Sequence, residues 1–258
     1  MLLAPLLWGL TIATAILFAA KPWWFPAAIS RHAFDYDAQF NRTLVVTGIA
    51  FLLVQAALGY VMLRYRDRGR AARHITGGAK AEVAWTAATA ILFLVLVVTG
   101  TRIFASVHLT PPAGDSLKVE VLGRQFAWTF RYPGPDGTFG RTHLKFANDA
   151  AGNPFGLDPA DPAGRDDVVS GSMKLPVGRP VTLILHSRDL IHSLFVRELR
   201  IKQDLVPGME IPLHFRPERV GVYEIACAEL CGLGHHQMRS TLEVVAGGDF
   251  DEWLRRGK

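Results

Sequence analysis

The run Cys227-Ala228-Glu229-Leu230-Cys231-Gly232-Leu233-Gly234-His235-His236-Gln237-Met238 sits between Val222 to Ala226 and Ser240 to Val245, two segments that read as strands. It is therefore a strand-connecting loop that carries two thiols, an imidazole and a thioether. Such a soft donor set selects copper over magnesium or calcium, which take oxygen ligands. One copper of the electron-transfer type needs a single Cys, two His and a weak Met, so the second Cys supplies enough thiolate to bridge two metals. The loop is one imidazole short, because His236 adjoins His235 and points elsewhere. A supplier lies upstream in Ser187-Arg188-Asp189-Leu190-Ile191-His192-Ser193, where His192 stands at the passage from one strand to the next.

Outward from the loop, the chain from Val107 onward is written in short alternating segments. Leu117 to Val121, Phe126 to Phe130, Pro180 to Leu185, Leu194 to Val196 and Ile211 to Phe215 read as further strands. Pro133-Gly134-Pro135-Asp136-Gly137, Val177-Gly178 and Pro207-Gly208 punctuate them as turns. Many short strands with Gly/Pro turns predict a β-sandwich or barrel. A helical pattern returns only at Phe250 to Arg255. The stretch from Ala147 to Asp167 breaks the rhythm and carries Asp149, Asp158, Asp161, Asp166 and Asp167. It reads as a long surface loop whose acidity suits a basic partner.

The first 105 residues are different in kind. The 258-residue chain is 50% hydrophobic and 20% charged, and its apolar residues concentrate there. Met1 to Ala20, Thr43 to Leu63 and Val83 to Thr101 contain no charged side chain. Each approaches the roughly 20 residues that cross the hydrocarbon core of a bilayer as a helix. Residues 43–105 are expected to form a two-helix transmembrane hairpin, and residues 1–20 a signal anchor or a further transmembrane helix. Residues 106–247 then form the β domain, and 248–258 a tail with a short helix. Arg64, Arg66, Arg68, Arg70, Arg73 and Lys80 crowd the connection between the second and third stretches, opposed only by Asp67 and Glu82. The positive-inside rule makes that connection cytoplasmic and puts the β domain on the outer, periplasmic face. The net charge of +5 owes much to this loop beside anionic lipid and gives no argument for nucleic acid. Two cysteines are too few for a disulfide scaffold.

The pattern Cys227-x-Glu229-x-Cys231-Gly232-x-x-His235-x-x-Met238, with His192 in an Asp-x-x-His-Ser setting, resembles subunit II of the haem–copper respiratory oxidases. Lys202, Asp204, Pro207-Gly208 and Gly123-x-Gln125-x-x-Trp128 extend the likeness, which runs from about Thr43 to the end and suggests a divergent bacterial branch. The resemblance implies transmembrane helices followed by an all-β cupredoxin-like Greek-key sandwich with a binuclear copper centre, CuA. By that likeness Cys227 and Cys231 bridge the coppers, His192 and His235 each ligate one, Met238 is a weak ligand, and Glu229 offers its carbonyl. The Glu229 side chain would help hold a magnesium ion shared with subunit I. Glu82 falls where the family has a glutamate at the mouth of a proton pathway. Phe126 replaces the family's first tryptophan, leaving Phe126 and Trp128 as candidates for electron entry.

The implied activity is that of the electron-entry subunit of a terminal oxidase in the bacterial inner membrane. A cytochrome c or another periplasmic donor reduces CuA, and haem in subunit I receives the electron. Oxygen reduction and proton translocation lie in the partner subunits. Arg197, Arg200 and Met209 also depart from the family pattern, the first two adding positive charge near His192 in sequence. Two other readings share the motif: the CuA subunit of a nitric oxide reductase, and a membrane-tethered copper chaperone. The second expects a proline after the second Cys and a helix next; here Gly232 and then a strand follow.

Overall fold

The computed structural model describes residues 2–20, 25–67, 69, 77–110 and 115–257. Arg68, Arg70 and Arg73 of the basic connection lie outside the described residues. The chain divides into two compact units: one formed by residues 1–24 and 37–102, the other by 25–36 and 103–258.

The first unit holds most of three helices, α1 (Leu3–Ala20), α2 (Arg31–Arg64) and α3 (Ala79–His108). All three are long and apolar enough to cross a membrane. Each is apolar around most of its circumference, which suits a helix solvated by lipid rather than by water. The second begins twelve residues before the uncharged run. Ser30 Oγ accepts the Ala33 N–H at 3.2 Å and caps a polar extension that hydropathy alone does not register. Within the unit, Trp8 Nε1 donates to the Gln55 carbonyl at 3.2 Å. Its indole lies over Gly59, where a Cβ would overlap the ring. Gln39 Nε2 donates to Thr99 Oγ1 at 3.0 Å, joining α2 to α3. A small residue under a large one and a polar bridge are the usual means of helix association in lipid, where apolar contact offers no advantage.

The second unit is a sandwich of two five-stranded sheets. Its strands are β1 (Leu117–Arg124), β2 (Ala127–Tyr132), β3 (Val168–Ser170), β4 (Met173–Pro176), β5 (Val181–Ser187), β6 (His192–Val196), β7 (Ile201–Leu205), β8 (Ile211–Phe215), β9 (Gly221–Cys227) and β10 (Arg239–Val245). One sheet runs β3-β2-β1-β5-β8 and the other β4-β10-β9-β6-β7. Alternate residues face inward: Leu117, Val119 and Val121 of β1, and Val181, Leu183 and Leu185 of β5, pack against Leu194, Ile225 and Leu242 of the opposite sheet. The sheets are mixed, since β1 pairs β5 and β4 pairs β10 in parallel. The strands that the alternation pattern missed, β3, β4 and β7, all lie at sheet edges. Edge strands are short or polar, as Lys202-Gln203-Asp204 in β7 shows, so their signal is weak. The closing helix α4 (Gly247–Arg256) buries Phe250 against Tyr132.

Two segments are tied onto this sandwich. Between β2 and β3, the long insertion is anchored by Arg131, which is 2% exposed. Its guanidinium meets Glu120 Oε2 at 2.6 Å, Asp167 Oδ2 at 3.1 Å and the Gly140 carbonyl at 3.0 Å. The Phe139 and Phe155 rings lie near it. Three of the insertion's acids are paired within the domain: Asp149 with Arg124 and Arg188, Asp161 with Arg141, and buried Asp167 with Arg131. Of the five acids between Ala147 and Asp167, Asp149, Asp161 and Asp167 thus have arginine partners within the domain. The other segment precedes and opens α2. Ile29 N–H donates to the Glu198 carbonyl at 3.0 Å, and Glu218 N–H to that of Ile29 at 2.7 Å. Arg200, with φ +56°, donates to the Pro26 carbonyl at 2.7 Å and lies over Phe25. Its left-handed backbone is one that glycine adopts more readily, and its charge serves this contact.

Arg131→Ala would strand two acids in the interior, a class of change that costs about 3–5 kcal/mol. Denaturant unfolding of the purified full chain should show that loss, whereas an unchanged midpoint would contradict the anchoring role.

Candidate metal centre

The donor atoms converge at one end of the sandwich because the strands that bear them end there. Cys227 is the last residue of β9, His192 the first of β6, and Leu194 pairs with Cys227 across the two. The turn after Cys227 carries Cys231 back: Gly232 takes φ +129°, a conformation glycine accepts at low cost. A short 3-10 turn at His235–Gln237 then leads into β10. Cys227 N–H bonds the Met238 carbonyl at 3.1 Å, closing the loop at its neck.

The resulting cluster is compact and mostly dry. Cys231 is 1% exposed, and His192 and Met238 are fully buried. The two thiol sulfurs stand 3.9 Å apart, both as free cysteines. His192 Nδ1 lies 4.0 Å from Cys227 Sγ, and His235 Nδ1 3.7 Å from Cys231 Sγ. Met238 Sδ is 3.8 Å from Cys231 Sγ, and the Glu229 carbonyl 3.2 Å from Cys227 Sγ. Ligand atoms of His192, Cys227 and Cys231 all fall within 4.8 Å of one another, a spacing that a metal ion can bridge. All six residues singled out from the sequence therefore meet. His236 is exposed, as expected from its place beside His235.

A set of surrounding residues fixes this geometry. Asp189 Oδ1 lies 2.8 Å from His192 Nε2, and Asp189 Oδ2 accepts the Gln125 N–H at 2.8 Å. With Nδ1 turned to sulfur, the Nε2–H donates to the carboxylate, the usual device for orienting a metal-binding imidazole. Burial pushes the Asp189 carboxyl up, but these bonds outweigh it and hold the group below its ordinary value. Gln125 also donates through its side chain to the Cys231 carbonyl. Phe126 lies against Gly232 and Gly234, where a Cβ would run into its ring. Trp128 is buried, sets its indole edge-on to the His192 ring at 6.3 Å, and donates to the Met238 carbonyl at 3.4 Å. Phe126 is partly exposed while Trp128 is not. Sequence spacing had a signal for Asp189, three residues before His192, but none for its double duty. Glu82 stands in the first turn of α3, within the first unit.

Burial first, and then the neighbouring Cys227 sulfur, push the Cys231 thiol up to about 11 from an ordinary value of 9.0. The neutral thiol is thus favoured by folding, a contribution present below pH 9.0 and lost as pH rises through about 11 in the metal-free protein. A metal that takes the thiolate must displace this proton, so its apparent affinity rises over the same interval. Thermal midpoints of the metal-free chain and chelator competition for copper should move in these opposite directions. Flat profiles over that interval would contradict the assignment.

Residues 117–245 match the profile of the cytochrome c oxidase subunit II periplasmic domain. The alternative cytochrome c oxidase subunit 2 of Bradyrhizobium diazoefficiens is 34% identical over the whole of this chain and 92% of its own length. Cytochrome c oxidase subunit 2 of Synechocystis is 26% identical over 89% of this chain and 74% of its own. Among solved structures, the periplasmic domain of subunit II (CoxB) of Bradyrhizobium japonicum aligns with 57% of this chain and 96% of its own at 24% identity and a TM-score of 0.42. With three helices long and apolar enough to cross a membrane, a β-sandwich and these sequence matches, the chain belongs to the cytochrome c oxidase subunit II family, a membrane component of haem–copper oxidases.

Proposed function

We propose that this chain is the electron-entry subunit of its oxidase. It would take single electrons from a cytochrome c-like donor in the periplasm and pass them to haem in subunit I. The observation that carries the reading is the pair of thiols 3.9 Å apart with an imidazole beside each. Cys227 and Cys231 are read as bridges, His192 and His235 as terminal ligands, and Met238 and the Glu229 carbonyl as weak ligands. A thiolate-bridged copper pair supplies one-electron chemistry with the charge shared between the two metals.

The chain's own residues prepare that chemistry. Asp189 orients His192, and Gln125 and Phe126 hold the Cys231–Gly234 turn, so oxidised and reduced states meet one rigid frame. Burial of Cys231, His192 and Met238 keeps water from the sulfurs and tunes the potential. Partly exposed Phe126 is the better candidate for contact with a donor, and buried Trp128 for contact with the ligands. The Glu229 side chain is assigned to a magnesium ion at subunit I, and Glu82 to proton uptake from the cytoplasmic side. The membrane is the bacterial inner membrane, and oxygen reduction with proton translocation belongs to the partner subunits.

The relatives from Bradyrhizobium and Synechocystis are oxidase subunits, which favours oxygen over nitric oxide as the terminal acceptor. A strand, not a helix, follows the loop, against the chaperone.

In the assembled oxidase, Cys231→Ser should abolish rapid electron uptake from a c-type cytochrome. Haem reduction by a small-molecule reductant should persist. Donor oxidation at the unmodified rate in that variant would refute the electron-entry role.

A further inference from the structure

Next to the ligands lies a charge cluster that electron entry leaves unexplained: Arg124, Asp149, Arg188 and Asp189. Asp149 comes from the insertion between β2 and β3. Its carboxylate takes Arg124 Nη1 at 2.9 Å and Arg188 through both terminal nitrogens, at 2.8 and 3.0 Å. The Pro154 carbonyl, from the same insertion, accepts from Arg188 at 3.4 Å. Each arginine directly precedes a residue that orients the copper end: Arg124 precedes Gln125, and Arg188 precedes Asp189. Arg188 N–H further bonds the Gly123 carbonyl at 3.1 Å, fastening the two loops side by side.

A guanidinium seeks a carboxylate that it can meet with two parallel bonds. Two acids are in reach of this region, and they have different work. Asp189 serves His192 and the Gln125 amide; Asp149 takes the arginines. We propose that Asp149 is a positioning residue for His192: by holding Arg188 it keeps that guanidinium off Asp189 and leaves Asp189 to accept the imidazole N–H. The inference rests on the reading of His192 as a copper ligand.

The sign of the effect follows from two contributions that act together. If Asp149 is neutralised, Arg188 turns to its neighbour Asp189, and the carboxylate shared with it becomes a poorer acceptor for the His192 N–H. The imidazole is then a weaker donor to the metal, and the oxidised, more positive centre is less well stabilised. The positive charge left uncompensated nearby disfavours the same state. Both raise the reduction potential. Stability, in contrast, should hardly change. The Arg188 and Asp149 side chains are 31% and 36% exposed, and ion pairs at such sites contribute little to folding.

The test uses the full chain in detergent, loaded with copper, and reads the reduction potential and the thermal midpoint of four variants. Asp149→Asn should shift the one-electron equilibrium toward the reduced form by about tenfold, which is ~59 mV, with little change in midpoint. Asp149→Glu, which keeps the charge, should stay near the unmodified potential. Arg188→Gln, which removes the competitor together with one positive charge, should not raise the potential, and Asp149→Asn combined with Arg188→Gln should return most of the shift, because the competitor is gone. An unchanged potential in Asp149→Asn would overturn the proposal, and so would a double variant as shifted as the single one. Nitrogen NMR of His192 in the copper-free chain separates positioning from a purely electrostatic effect. Loss of the Nε2–H bond signature in Asp149→Asn supports the positioning role even without metal, and an unaltered signature counts against it. Failure of the unmodified chain to take up a copper pair would instead refute the electron-entry reading.

Discussion

The Asp189 carboxylate accepts the His192 Nε2–H with one oxygen and the Gln125 backbone N–H with the other, at 2.8 Å each. That pair of bonds couples the two loops on which everything else at this end of the sandwich depends. Through Gln125 it reaches the Cys231 carbonyl, and through Phe126 the glycines of the copper loop. Through His192 it sets the imidazole against Cys227 Sγ. The six donors that the sequence scatters between positions 192 and 238, the Glu229 carbonyl among them, thereby share one frame. In the proposed electron-entry role such a frame would limit rearrangement on reduction.

The sandwich supplies the frame, and its own stability has an unusual component. The buried Arg131 with Glu120 and Asp167 is an interior ion cluster, which is seldom a net gain over apolar packing. Its value here is positional: it fixes the insertion, and the insertion delivers Asp149 to the rim of the copper end. The same economy governs the segment before α2, where Arg200 adopts a left-handed backbone to bind Pro26. Acids and arginines that look like surface charge in the sequence are thus internal connectors.

The parts of this organisation that repeat were readable from the sequence. Uncharged runs near twenty residues long announce helices in lipid, and alternation announces the central strands β1, β5, β9 and β10. The copper loop was legible because Cys, Cys, His and Met on one strand connection have few other uses together. His192 could be assigned only because the loop demanded a second imidazole. Strands β3, β4 and β7 were not readable, since the first two are three and four residues long and the third is polar at Lys202-Gln203-Asp204, whereas apolar β8 at another edge was read. The start of α2 at Arg31 was missed because the charged residues Arg31, Asp35, Asp37 and Arg42 lie outside the uncharged run by which the span was read. Least legible was the partnership of Asp149 with Arg188, 39 residues apart. Long-range pairing of charges leaves no local pattern, and the insertion's acidity suggested a surface for others to bind.

The central claim is that Cys227 and Cys231 bridge two copper ions within this arrangement. Electron paramagnetic resonance of the full chain loaded with copper and partly reduced tests it most directly. Hyperfine structure from one electron shared equally by two coppers, at two coppers per chain, is the expected result. A spectrum of isolated single-copper sites, or stoichiometric binding of one ion alone, would contradict it.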